Sequence, residues 1–124
     1  MPPFISETYL LRLTQFLFFA ALVVVVAATV MPVPSMPVSV TWNDKILHFI
    51  AYFGLGILGG TGWPARRYAL LLTMPLFGMA LEAAQGMMAI GRHFEWYDGI
   101  ANALGAFAGV AASLAVRRIL FRAP

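Results

Sequence analysis

The chain has 124 residues, 61% of them hydrophobic and 10% charged, with a mean hydropathy of +0.84. A soluble fold of this size cannot hide so much apolar surface, so the composition implies lipid as solvent and a single all-α membrane domain over residues 1–124. The sequence contains no cysteine, which excludes disulfides, thiolate catalysis and cysteine-ligated metal centres. The net charge is +3, but the arginines sit at the ends of apolar runs. That placement speaks for membrane orientation and against nucleic acid as a partner.

Four apolar runs follow in chain order. Residues 10–30 are interrupted only by Arg12, Thr14 and Gln15 near their start. About 21 residues at 1.5 Å each reach roughly 31 Å, enough to span a bilayer. No A-x-A site precedes Met31, so the run reads as a retained helix rather than a cleaved leader. Pro32, Pro34 and Pro37 then force an extended loop. A second helix is expected over 44–61, capped by Asn43 or Asp44. It ends at the glycines before Trp63-Pro64. A third, over 68–90, contains Pro75, and a fourth, over 98–116, is expected to be capped by Asp98. The predicted architecture is a four-transmembrane-helix bundle.

Lysine and arginine positions give the orientation. With the N-terminus inside, Arg12, Arg66, Arg67, Arg117, Arg118 and Arg122 are cytoplasmic, and only Lys45 and Arg92 lie outside. Trp42, Trp63 and Trp96 all fall at expected interfaces. Both termini are therefore predicted to be cytoplasmic, in a multi-pass membrane protein.

This orientation collects the unusual polar residues in the outer half of the bilayer. Asp44, Lys45, His48 and Tyr52 fall within about a 100° sector of the second helix. Glu82 and Gln85 are one turn apart on the third, with Glu82 roughly 12 Å below its outer end. Asp98, Asn102, Gly105 and Gly109 fall within about 60° on the fourth. An ionised carboxylate near the bilayer centre costs at least about 2.5–3.5 kcal/mol, so these stripes are expected to face one another rather than lipid. Small residues at 101, 105, 109 and 113 permit the close approach. His93 and Glu95 read as solvated loop residues, and Met74, Met79, Met87 and Met88 as packing or lipid-facing residues.

Three motifs, Asp44-Lys45-x-x-His48-Phe49-x-x-Tyr52, Glu82-x-x-Gln85 followed by Arg92, and Asp98-x-x-x-Asn102-x-x-Gly105-x-x-x-Gly109, resemble the VanZ-like family of bacterial membrane proteins. The likeness covers about residues 44–109. It implies a small helical protein of the cell envelope, in a family whose founding member is linked to teicoplanin (glycopeptide) resistance. The residues that match the family pattern are Lys45, His48, Tyr52, Glu82, Gln85, Arg92, Asp98 and Asn102.

No G-x-S-x-G, P-loop or H-E-x-x-H motif is present. The composition would allow His48 to ligate a metal with Asp44, Glu82 or Asp98, but no spacing marks such a site, so neither metal nor cofactor is expected. The leading reading is a site for an anionic envelope lipid or lipid-linked precursor. Lys45 and Arg92 would hold the charge, and His48 with Glu82 or Asp98 would form the acid–base pair. Asp44, Tyr52, Gln85 and Asn102 would complete the ligand contacts. Two other readings use the same residues: a non-enzymatic membrane partner whose polar network is structural, and a proton or small-solute pathway built on Glu82.

Overall fold

The computed structural model describes residues 6–31, 42–88 and 94–121. Among these the protein is all-helical, with α1 (Glu7–Val30), α2 (Trp42–Gly62), α3 (Arg67–Met87) and α4 (Trp96–Phe121). A short 3-10 turn, Pro64–Arg66, leads into α3. Three helical stretches, those of α1, α3 and α4, are long and apolar enough to cross a membrane. In α2, Asp44, Lys45, His48 and five glycines dilute the apolar character. It touches each of the other three helices, and a helix so surrounded needs less lipid-facing surface than its neighbours.

Local signals account for the helix ends. Ser6 caps α1, its hydroxyl accepting from the Tyr9 amide at 3.2 Å, and Glu7 follows in the first turn. Thr14 and Thr29 return their hydroxyls to carbonyls four residues back, Leu10 at 2.9 Å and Val25 at 2.7 Å, and so sit in an apolar helix without an unpaired donor. Helix α3 continues through Pro75 and ends at Met87. The expected caps Asp44 and Asp98 are instead in the first turns of helices that begin two residues earlier, at Trp42 and Trp96. Helix α1 starts at Glu7 rather than residue 10, and α4 runs to Phe121 rather than 116. Apolar periodicity registers the lipid-spanning stretch, whereas the hydrogen-bonded helix extends into its polar flanks.

The interior is built on α2 and α4. A Cβ on Gly105 would fall on the Phe49 carbonyl, and one on Gly109 on the Phe53 carbonyl. The numbers of the touching residues rise together along both helices, so the two run parallel with their backbones in contact. Helix α1 runs antiparallel to α2: Gln15 Nε2 donates to the Gly62 carbonyl at 2.8 Å while Phe18, further along α1, lies against Gly59, and the Phe18 ring packs edge-on against Trp63 with centroids 5.2 Å apart. Phe18, Tyr52, Leu55, Met74 and Ala106 form the buried core. Phe16, Val23, Tyr68, Leu72, Leu76 and Ile119 point outward, an apolar belt that suits contact with lipid.

The two ends of the bundle differ. One gathers the α1 and α3 N-termini with the α2 and α4 C-termini. There Arg117 bonds Glu7 Oε1 at 2.8 Å and the Thr61 carbonyl at 3.1 Å, and stacks over Phe121. The other end holds the N-terminal turns of α2 and α4 and the C-terminal turns of α1 and α3. Gly109→Ala should destabilise the folded protein by about 1–3 kcal/mol, because a methyl must enter occupied backbone space. A Cβ on Gly54 would meet nothing within 4 Å, so Gly54→Ala should be neutral or gain up to about 1 kcal/mol of helix propensity. Unfolding titrations in mixed micelles, followed by circular dichroism, measure both.

Candidate functional site

At the second end, α2, α3 and α4 present their polar stripes to one another. His48, 15% exposed, stands in the middle. Its Nδ1 lies 2.8 Å from Asn102 Oδ1, and because an amide oxygen only accepts, Nδ1 is the donor and Nε2 is left for other partners. Glu82 Oε1 is 3.8 Å from the same Nδ1. On the opposite edge, Asp44 Oδ2 and Asp98 Oδ2 each lie 3.7 Å from Nε2. The imidazole therefore separates one carboxyl group from two others. Its only hydrogen-bond-length contact among the described residues is with Asn102, not with the carboxyl partner expected from sequence.

The partners are positioned by different means. Asp44 is one helical turn before His48 on α2 and shares its face. Asp98 reaches the ring from α4 because the Phe49–Gly105 contact holds the two helix starts side by side. Its other oxygen, Oδ1, accepts from Lys45 Nζ at 3.3 Å, and the same ammonium meets Glu95 Oε2 at 3.2 Å. Glu95 reads in the sequence as a solvated loop residue; it is half exposed, yet it belongs to this network. It stands just before α4, three residues ahead of Asp98 and seven ahead of Asn102, so the helical period continued backwards puts it on their side.

Glu82 and Asn102 are each 1% exposed, and Gln85 is 3% exposed. Gln85 Nε2 donates to the Thr29 carbonyl at 2.9 Å, which ties the end of α1 to α3. Glu82 Oε2 is buried with no hydrogen-bond partner among the described residues. Tyr52 is buried one turn below His48, close to Gly78 on α3. Of the nine residues singled out from sequence, eight converge here; Arg92, like His93, lies outside the described residues.

Beside this network is a cavity of about 230 Å³. Its polar side is formed by Asp44, His48, Tyr52, Glu82, Gln85 and Asn102, and its apolar side by Val24, Val25 and Ala28 of α1 with Leu47 and Leu81. The contribution of α1 is not legible in its sequence, because an evenly apolar helix does not reveal which face meets a site. Four carboxyl groups, Asp44, Glu82, Glu95 and Asp98, face one ammonium and one imidazole among the described residues. The site is thus rich in anionic donors. It can shuttle a proton through His48, or it can hold a cation.

Comparison of the chain with protein-family models, with curated proteins and with solved structures finds no match. The functional reading therefore rests on the residues and their geometry. Asn102→Leu should move the His48 proton from Nδ1 to Nε2, because the ring loses its acceptor. It should also cost about 1–3 kcal/mol of stability. The ¹⁵N shifts of the labelled imidazole report the tautomer; an unchanged Nδ1–H form would contradict the assignment.

Proposed function

We propose that the protein is a VanZ-like, four-span protein of the bacterial cytoplasmic membrane, with both termini in the cytoplasm. In this reading the His48 network occupies the outer half of the bilayer and recognises an envelope lipid or lipid-linked precursor. The observation that carries it is the two-sided cavity. One wall is titratable and hydrogen-bonding, the other aliphatic, which suits a molecule with a polar head and an apolar chain. The arginine-rich end supports the orientation, since Arg12, Arg66, Arg67, Arg117 and Arg118 all lie away from the network.

The roles follow from placement. Lys45 and Arg92 are the cationic side chains of the outer end and would meet the charged head. Lys45 already neutralises part of Glu95 and Asp98, so it serves as much to position Asp98 as to bind. His48 stands between the carboxyl groups, with Glu82 on one edge and Asp98 on the other. Asn102 fixes which nitrogen faces which partner.

A purely structural network is the competing reading, and the satisfied Gln85–Thr29 and His48–Asn102 bonds favour it. The two separate under substitution. Glu82→Gln preserves shape while removing a charge, and it should leave helical content unchanged. Native mass spectrometry of gently extracted protein should show co-purifying anionic lipid on the wild type and at least a tenfold loss in Glu82→Gln and His48→Ala. Equal lipid retention in all three, or none in the wild type, would overturn the lipid reading. A reporter at the C-terminus should read as cytoplasmic; an external signal would reverse the orientation.

A further inference from the structure

We propose that Asp44, His48 and Asp98 form a binding site for a divalent metal ion. Asp44 Oδ2 and Asp98 Oδ2 each lie 3.7 Å from His48 Nε2, and one donor atom from each of the three residues falls within 4.8 Å of the others. These separations are too long for hydrogen bonds, which place N and O about 2.7–3.2 Å apart. The two 3.7 Å distances suit donors sharing one ion at about 2.0–2.2 Å, whose mutual distances are roughly 3–4 Å, and the two carboxylates would draw together around it.

The surrounding bonds leave the correct atoms free. Asn102 accepts the Nδ1 proton of His48 and so turns the Nε2 lone pair toward the two carboxylates. Lys45 holds Asp98 by Oδ1 and leaves Oδ2 facing the ring. Orientation of an imidazole and a carboxylate by second partners is the usual support of a metal centre. A second observation comes from Glu82. It lines the same cavity as Asp44 and His48, is 1% exposed, and buries Oε2 without a partner among the described residues. The polar wall of the cavity therefore carries an unmet acceptor on the Nδ1 side of the same ring.

One nitrogen and two carboxylate oxygens select a borderline or hard divalent ion of the Zn²⁺ or Mn²⁺ class. Three protein donors leave coordination positions open to water or to an oxygen of a ligand. On the lipid reading above, that oxygen belongs to a phosphate, and the ion supplies the positive charge that the four carboxyl groups otherwise deny an anionic head. The metal site itself does not depend on that reading.

Protein extracted in detergent and stripped with EDTA should bind one Zn²⁺ by calorimetry, and one Mn²⁺ by loss of the free-ion electron paramagnetic resonance signal. Asp44→Asn and Asp98→Asn, checked for unchanged helical content, should weaken binding at least tenfold. Asn102→Ala should weaken it about 10–100-fold through the imidazole. Asp44 is at the partly exposed helix start, so its variant keeps the test valid even where Asp98→Asn fails to fold. Absence of stoichiometric binding to the wild type, or undiminished binding to Asp44→Asn, overturns the metal site. Native mass spectrometry with and without EDTA separates the two claims. Lipid retained by protein that binds no metal sinks the ion and keeps the lipid reading; metal bound by protein that never carries lipid does the reverse.

Discussion

The contact between α2 and α4 governs the rest of the structure. Two parallel helices meet backbone to backbone where Gly105 and Gly109 lie against the carbonyls of Phe49 and Phe53. No side chain larger than hydrogen fits there. In an apolar solvent, burial of apolar surface gives no preference for one helix pairing over another, so close packing and polar contacts must choose it. This pairing sets the start of α4 beside the start of α2. It thereby fixes the distances from Asp98 and Asn102 to His48, which neither helix controls alone.

Electrostatics then make the site consequential. Asp98 and Asn102 are almost wholly buried, Glu82 is too, and one imidazole lies among them. Buried carboxyl groups persist only when protons, partners or ions offset the loss of water. Lys45 supplies part of that offset through Glu95 and Asp98, and Asn102 fixes the ring. Asp44, His48, Glu82, Gln85 and Asn102 line a cavity whose far wall is aliphatic.

Much of this is legible in the sequence. Period-3.6 placement of Asp44, His48 and Tyr52, and of Asp98 and Asn102, puts each set on one face, and the cost of exposing them to lipid brings the faces together. The small residues of α4 identify the contact surface. Other features depend on three dimensions. Glu95 precedes α4, on the same period as Asp98 and Asn102, and its part in the network depends on the reach of a lysine side chain from α2. The Thr29 carbonyl of α1 carries no sequence mark, yet it anchors Gln85. Hydropathy places the helix starts late because it follows the apolar stretch, whereas Trp42 and Trp96 already belong to the hydrogen-bonded turns. The choice of Asn102 over a carboxyl group as the direct partner of His48 follows from the register of two helices and from no local pattern.

The central claim is that the α2–α4 contact delivers a direct and specific interaction between His48 and Asn102. A double-mutant cycle measures it without reference to any ligand. His48→Ala, Asn102→Ala and the double variant are unfolded in mixed micelles, and the free energies are compared. A coupling energy of about 1 kcal/mol or more is the predicted result for a buried pair in hydrogen-bond contact. Additive effects, within about 0.3–0.5 kcal/mol, would show that the two side chains do not meet and would contradict the account.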